Sequence, residues 1–245
     1  MTAPTLVLLP GLDGTGKLFT RFLDALNEAI DNLDARVIAY PLGLPLGYEA
    51  LEARVRGALP KDRPFVLLGE SFSGPIAIRI AADPPPNLTG VILCGTFAKN
   101  PFPLLGWASP LAFLVPMKYL PRWIRAPLMW GSKRDVRIPP RAERAIAGVD
   151  SAVVRRRIAS LLTVDATDSL QRIAVPALVI YGKRDRVISY AATRRLFEHL
   201  AGVEVVAVDG PHLLLQATPL ECAAVVAELL RRCDPNAKSK SRLWG

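Results

Sequence analysis

The stretch Phe65-Val66-Leu67-Leu68-Gly69-Glu70-Ser71-Phe72-Ser73-Gly74 passes from an apolar run through small residues into a helical pattern. The apolar run predicts a buried strand, and Gly69 and Ser73 stand two positions either side of Ser71. Small side chains there let a strand and the following helix approach closely, which would project the Ser71 hydroxyl above the sheet edge. The pattern also fits an ordinary Gly/Ser turn between a strand and a helix, so it leaves that alternative open.

Similar apolar runs recur along the chain between helical patterns. They are rich in Val, Ile and Leu without polar alternation, which is typical of parallel strands covered on both faces. The predicted strands are Thr5–Leu9, Arg36–Tyr40, Phe65–Leu68, Gly90–Cys94, Ala177–Tyr181 and Val203–Val208. An apolar stripe from Phe19 to Ile30 and a helix start at Thr218-Pro219, with Thr as cap, predict two of the helices between them. The alternation predicts an α/β fold with a doubly wound, mostly parallel sheet of about six strands.

A long insertion interrupts this alternation. About eighty residues separate Cys94 from Ala177, far more than an ordinary connection between strands. We interpret residues 97–168 as a helical cap over the sheet, and residues 233–245 as a disordered basic tail. The remaining ranges, 1–96 and 169–232, would form the α/β core.

The composition places the chain among folded globular proteins, since 51% of its 245 residues are hydrophobic and 22% are charged. No apolar run is long enough to span a bilayer, and the first residues lack the pattern of a signal peptide. Three cysteines without Cys-x-x-Cys spacing suit a reducing compartment and give no indication of a metal or thiol site. We therefore expect a cytoplasmic protein that requires no cofactor or metal.

A nucleophilic Ser71 needs a base and an acid, and the predicted strands place one candidate for each at the same sheet edge. The chain has two histidines, and His212 follows the last strand, whereas His199 lies on a helix before it. Asp185 follows the strand at 177–181, whereas Asp165 and Asp168 precede that strand. The order Ser71, Asp185, His212 is the chain order of the Ser–Asp–His triad on this kind of sheet.

The segment Leu9-Pro10-Gly11-Leu12-Asp13-Gly14-Thr15-Gly16 follows the first strand and could supply an oxyanion hole. Its glycines allow backbone N–H groups to turn inward, and we assign the two donors to the N–H groups of Leu12 and Phe72. The same segment with Lys17 satisfies most of a phosphate-binding P-loop. Leu18 stands where that motif needs a hydroxyl for magnesium, so the sequence favours the oxyanion hole over a nucleotide site.

Taken together, these residues resemble the α/β-hydrolase superfamily along nearly the whole chain. One departure is at Pro10-Gly11, where the superfamily commonly has His-Gly. In its size and its predicted basic helical cap, the chain is similar to small serine carboxylesterases, including those that demethylate pimeloyl-carrier-protein methyl esters. The resemblance implies ester hydrolysis through an acyl-enzyme on short or medium apolar acyl esters. Acyl transfer, thioester hydrolysis and lysophospholipid hydrolysis on the same triad stay open, since water and alcohols compete for an acyl-enzyme.

The predicted cap supplies candidates for substrate and partner binding. Its surplus of apolar bulk predicts an acyl site lined by Phe97, Phe102, Trp107, Phe113 and Trp123. It holds 12 basic and 5 acidic residues against 8 and 10 in residues 1–96, a localised positive field that favours an acidic partner. An acyl carrier protein, or otherwise an anionic lipid surface, would dock there, and no aromatic-basic motif indicates nucleic acid. The candidate docking residues are Arg141, Arg144, Arg155 and Arg156.

Overall fold

The computed structural model describes residues 4–103, 144 and 147–234 and contains one six-stranded sheet. The strands are β1 Thr5–Leu9, β2 Ala35–Val37, β3 Phe65–Glu70, β4 Leu88–Cys94, β5 Ala177–Gly182 and β6 Glu204–Val208. The helices are α1 Thr20–Ala29, α2 Tyr48–Ala58, α3 Gly74–Ala82, α4 Ser151–Thr163, α5 Thr167–Leu170, α6 Tyr190–Glu198, α7 Leu214–Ala217 and α8 Pro219–Arg232. Short 3-10 turns at Lys17–Phe19 and Ser71–Ser73 lead into α1 and α3.

The predicted parallel sheet is confirmed. Its order is β2-β1-β3-β4-β5-β6, and every neighbouring pair of strands runs parallel. The edge strand β2 is shorter than predicted because the chain leaves the sheet after Val37. Beyond the strand, the Tyr40 N–H donates to the Gly14 carbonyl at 2.8 Å, in the segment that follows β1.

Both faces of the sheet are covered, which explains the unbroken apolar runs. Alternate residues of β3 illustrate the arrangement: Phe65 and Leu67 pack in one core cluster, and Val66 and Leu68 pack in the other. The first cluster includes side chains of α2, α3 and α6, and the second includes side chains of α1 and α8. Because neither face of such a strand meets water, its residues do not alternate between apolar and polar.

The two ends of the predicted cap meet beside the core. The Ala166 N–H donates to the Ala98 carbonyl and the Asn100 N–H to the Val164 carbonyl, both at 2.9 Å. Residues 104–143 and 145–146 lie outside the described residues, so the cap remains a prediction between these paired ends.

The C-terminal helix α8 begins at Pro219, as predicted, but the Thr218 side chain makes no cap bond. Its hydroxyl instead donates to the Leu214 carbonyl at 3.1 Å. Cys233, the first residue of the predicted tail, is buried in the core, and residues 235–245 are outside the described part. None of the described helices has the length and apolar character needed to cross a membrane.

Close packing at the end of β3 generates a prediction about Gly69. A Cβ added there would lie 2.8 Å from the Ala77 Cβ and 2.9 Å from the Ser73 carbonyl oxygen. Because one of these neighbours is backbone, we expect Gly69→Ala to lower the free energy of unfolding by about 1–3 kcal/mol in urea titrations. The control is Gly57→Ala in α2, where an added Cβ meets nothing within 4 Å and should stabilise by up to ~1 kcal/mol. Wild-type stability of Gly69→Ala would contradict the packing described.

Candidate active site

The loops that carry the predicted site residues all leave the sheet at one edge. Ser71 follows β3, Asp185 follows β5 and His212 follows β6, while the segment from Pro10 follows β1. Parallel strands present all their carboxyl ends at the same edge, so residues far apart in the chain meet there. The structure thus brings together the three side chains proposed for the triad.

A continuous chain of hydrogen bonds joins these three side chains. The Ser71 Oγ lies 2.9 Å from His212 Nε2, and His212 Nδ1 lies 2.8 Å from Asp185 Oδ2. The other oxygen of Asp185 accepts from the N–H groups of Val187 and Ile188 at 2.8 and 2.9 Å. With the His212 and Asp185 side chains only 2% and 6% exposed, water is excluded from the pair. This geometry can transfer a proton from a serine hydroxyl to an imidazole held in one orientation.

The backbone of Ser71 is in the left-handed region with φ +50°, one of two non-glycine residues with positive φ in the described part of the chain. Such a conformation places the side chain at the apex of a sharp turn and is costly for a residue with a Cβ. The Ser71 carbonyl accepts a hydrogen bond from the Thr96 hydroxyl, which secures the turn from the end of β4. The local geometry is that of a nucleophile elbow.

Ser73 occupies the second small position of the elbow, and its hydroxyl has a structural use. It donates to the Pro10 carbonyl, so its single proton is committed, and the Tyr40 hydroxyl donates to Ser73 Oγ at 2.5 Å. Burial raises the pKa of the Tyr40 phenol, which keeps it a donor. A glycine at this position could make neither bond. Ser73 therefore ties the elbow to the segment after β1.

Two tyrosines surround Phe72, one of the two residues assigned to the oxyanion hole. Tyr48 stacks on the Phe72 ring with centroids 4.6 Å apart and donates its hydroxyl to the Phe72 carbonyl at 3.0 Å. Tyr40 meets the same ring edge-on at 6.4 Å. Phe72 is fully buried, so this packing fixes the residue whose N–H follows the nucleophile.

The segment after β1 lies directly against the elbow. A Cβ placed on Gly11 would be 3.8 Å from the Ser71 Cβ. The N–H groups of Leu12 and Phe72 take part in no hydrogen bond between described residues. Among the described residues nothing else accepts from these two N–H groups, so the geometry permits the predicted oxyanion hole, which stays a prediction.

A buried carboxyl group, Glu70, stands immediately before the nucleophile. Its Oε1 accepts from Gln216 Nε2 at 2.8 Å, and its Oε2 would lie 3.8 Å from a Cβ placed on Gly11. Burial raises the pKa of Glu70 to about 7, against the opposing effect of the Gln216 hydrogen bond. Within the described structure, the buried Oε1 of Gln216 has no hydrogen-bond partner.

The remaining predicted site residues are distributed as follows. Phe97 is fully buried within the core cluster and Phe102 is half-buried, while Trp107, Phe113 and Trp123 lie outside the described residues. Arg144 and Arg156 are exposed and Arg155 is half-buried, whereas Arg141 lies outside the described residues. Of the rejected alternatives, Asp165 pairs with Lys99 at 2.8 Å, and His199 bonds the Arg195 carbonyl at the end of α6.

Four residues that support the elbow through side-chain hydrogen bonds were not predicted from the sequence. Tyr40, Tyr48, Thr96 and Gln216 each reach the elbow through a side chain, but they come from four separate segments. One indication was available: Ser73 and Glu70 are polar residues within a stretch that is otherwise buried, and buried polar groups need partners. The identity of those partners depends on the fold.

Comparisons with known proteins show the family of the chain. A model of the family described as serine aminopeptidase S33 matches residues 49–212, more than half of the chain and a range that includes Ser71, Asp185 and His212. RutD of Rhizobium rhizogenes, which is named as a carbamate hydrolase, is 26% identical over 94% of this chain and 93% of its own length.

Solved structures share the fold. The enol-lactonase from Burkholderia xenovorans LB400 superposes with a TM-score of 0.75 at 20% identity, covering 95% of this chain and 92% of that one. An esterase from Exiguobacterium antarcticum gives a TM-score of 0.76 at 16% identity, with 94% and 92% covered. At these identities the likeness establishes the architecture alone.

The position of Glu70 generates a prediction about stability and pH. Its carboxyl keeps its proton to about pH 7 in the folded chain, against an ordinary pKa of 4.5. Between pH 4.5 and 7 the folded chain therefore binds more protons than the unfolded chain. As pH rises through this range, Glu70 lowers the free energy of unfolding. Glu70→Gln removes the ionisation and offers an amide N–H to the unpartnered Gln216 oxygen. We expect it to gain stability relative to wild type between pH 4.5 and 8, on the order of 3 kcal/mol.

The measurement is urea denaturation of both proteins across that range. Glu28→Gln, an exposed carboxyl on α1, is the matched control and should follow wild type at every pH. A constant difference between Glu70→Gln and wild type would show that Glu70 does not titrate there.

Proposed function

The chain belongs to the serine aminopeptidase S33 family of α/β-hydrolases, and on that premise we propose that it is a serine carboxylic-ester hydrolase acting through an acyl-enzyme on Ser71. The observation that supports this most directly is the unbroken chain from Ser71 Oγ through His212 to Asp185, with bonds of 2.9 and 2.8 Å. The Ser71 side chain sits at the apex of a strained turn and is partly exposed.

In the proposed reaction, Ser71 Oγ attacks the ester carbonyl while His212 Nε2 accepts the hydroxyl proton. Asp185 holds the Nδ1 proton and stabilises the imidazolium that forms. The N–H groups of Leu12 and Phe72 donate to the carbonyl oxygen as it becomes negative. His212 then returns the proton to the departing alcohol, which leaves the acyl group on Ser71. Water, deprotonated by His212, attacks this acyl-enzyme and releases the acid with Ser71 restored.

We propose apolar acyl groups of short to medium length as substrates. Within the described residues, Phe102 offers partly exposed apolar surface near the paired ends of the predicted cap, and the sequence adds Trp107, Phe113 and Trp123. Two alternatives have support. An alcohol that replaces water in the second step would give acyl transfer, and the name of the RutD relative favours testing carbamates, whose carbonyl the same serine can attack.

Substitution of the triad tests the proposal. Ser71→Ala should reduce turnover of p-nitrophenyl esters by about 10⁶-fold because the attacking oxygen is gone, with His212→Ala similar and Asp185→Asn less severe. A wild-type panel of acetyl, butyryl, octanoyl and palmitoyl esters, with a p-nitrophenyl carbamate beside it, measures the acyl preference. We expect butyryl or octanoyl to be best. Unchanged turnover in Ser71→Ala would refute the proposal, and a flat panel would remove the acyl preference only.

We further propose an acyl carrier protein as the partner that delivers the ester. Arg144 and Arg156 are exposed, and neither forms an ion pair with another described residue, which favours them as contacts for an acidic surface. Exposed charges of this kind steer association more than they stabilise the bound state, and salt screens them over roughly 10 Å at 0.1 M.

Charge reversal separates docking from chemistry. The double variant Arg144→Glu/Arg156→Glu should lose activity at low salt on a carrier-bound methyl ester, while hydrolysis of a free methyl ester stays at the wild-type rate. Arg195→Glu, an exposed arginine on α6, is the matched control. If the double variant changed the rates on both substrates by the same factor relative to wild type, this docking surface would be excluded.

A further inference from the structure

An arginine from the predicted cap is buried against the segment after β1. Arg157 lies on α4 and is 1% exposed, although its neighbour Arg156 on the same helix faces solvent. A charged side chain is almost never fully buried unless specific partners hold it. Arg157 is the largest side chain among the fully buried residues of the described structure, which makes its partners informative.

Those partners are backbone carbonyls of the proposed oxyanion loop, residues 10–16, and of the chain beyond β2. Arg157 Nη1 donates to the carbonyls of Leu12 and Asp13 at 2.8 and 2.9 Å, and Nη2 donates to the Pro41 carbonyl at 3.0 Å. The guanidinium lies over the ring of Tyr40, with its Cζ 5.5 Å from the ring centroid. A single cation thus holds two successive peptide groups of the loop.

The loop is shaped to receive this side chain. Gly14 has φ +70°, and a Cβ at that position would lie 2.8 Å from the Arg157 Cζ. A side chain at residue 14 would therefore exclude the guanidinium as well as strain the backbone. The Gly-rich sequence that resembles an anion-binding loop instead encloses a cation of the protein itself.

Burial of this cation is expensive, and the fold does not fully compensate it. Burial lowers the pKa of the Arg157 guanidinium, while Tyr40 and Asp13 act in the opposite direction. Its Nε has no hydrogen-bond partner in the described structure. Apolar side chains of similar volume are often as stable as a buried ion, so the contacts of Arg157 call for a reason other than stability.

We propose that Arg157 is a positioning residue that aims the Leu12 N–H at the reacting carbonyl oxygen, and this inference rests on the proposed function. Ser73 holds the loop at the Pro10 carbonyl, on the side toward the elbow. Arg157 holds the same loop at the carbonyls of Leu12 and Asp13. The Leu12 N–H lies between these two sets of contacts, so its direction is set only when both are made.

A misdirected donor weakens binding of the transition state more than binding of the ester, because charge develops on the oxygen only during reaction. Loss of one oxyanion donor costs about 10²- to 10³-fold in turnover, so partial misplacement should cost about 10- to 100-fold in kcat with KM little changed. A residue that serves only stability would instead change the unfolding midpoint and leave kcat unchanged at temperatures where the protein is folded.

The experiment compares wild type, Arg157→Met and Arg157→Lys with Arg54→Met, an exposed arginine on α2, as the control. Steady-state hydrolysis of p-nitrophenyl butyrate gives kcat and KM, and hydrogen exchange read by mass spectrometry reports protection of residues 10–16. Met keeps the bulk of the side chain without its donors, and Lys keeps the charge without the two-pronged geometry. Arg157→Ala with added methylguanidinium tests whether a free cation restores the loop.

The proposal predicts the stated fall in kcat at constant KM, faster exchange of the loop in both Arg157 variants, and partial rescue of Arg157→Ala. Wild-type kcat with unchanged loop protection in Arg157→Met would overturn it, and so would a rise in KM alone. If Arg157→Met does not fold, Arg157→Lys decides by the same two readouts. If the wild-type chain hydrolyses no ester, the proposed function fails, whereas the exchange comparison still decides whether Arg157 orders the loop.

Discussion

The left-handed backbone at Ser71 is the constraint on which the rest of the site depends. A residue with a Cβ pays of order 1–3 kcal/mol for such a conformation, so the surrounding structure must impose it. Gly69 permits α3 to pack against the end of β3, the Thr96 hydroxyl secures the Ser71 carbonyl, and Ser73 ties the turn to the neighbouring loop. Only with the turn in place does the Ser71 hydroxyl reach His212.

Parallel topology supplies the other half of the arrangement. Each strand ends at the same edge, so His212 after β6 and Asp185 after β5 approach Ser71 after β3 without long loops. The site is also rich in buried polar groups that a purely apolar core would exclude. Glu70 lies beside Gly11, and Arg157 binds the carbonyls of Leu12 and Asp13. Burial raises the pKa of Glu70, and the Nε of Arg157 has no hydrogen-bond partner among the described residues. Retention of such groups next to the proposed nucleophile favours a role in orienting that segment.

The sequence predicted the sheet, the helix beginning at Pro219 and the three side chains that the structure brings together, because each depends on a local pattern or on chain order. It could not predict that β2 ends at Val37, since Tyr40 leaves the sheet for a bond to Gly14 that only the fold makes available. The sequence also placed Cys233 in the disordered tail, whereas the structure buries this residue in the core. Three consecutive arginines at 155–157 look alike in the sequence, yet one is buried and another faces solvent, because helical geometry points them in different directions.

The most direct measurement of the central claim is covalent labelling with a fluorophosphonate followed by peptide mass spectrometry. We expect one adduct per chain, on Ser71, formed at a rate that falls when His212 is replaced, because the reagent reacts with the same activated hydroxyl as an ester does. Absence of labelling, or an adduct on another serine such as Ser73 with Ser71 unmodified, would contradict it.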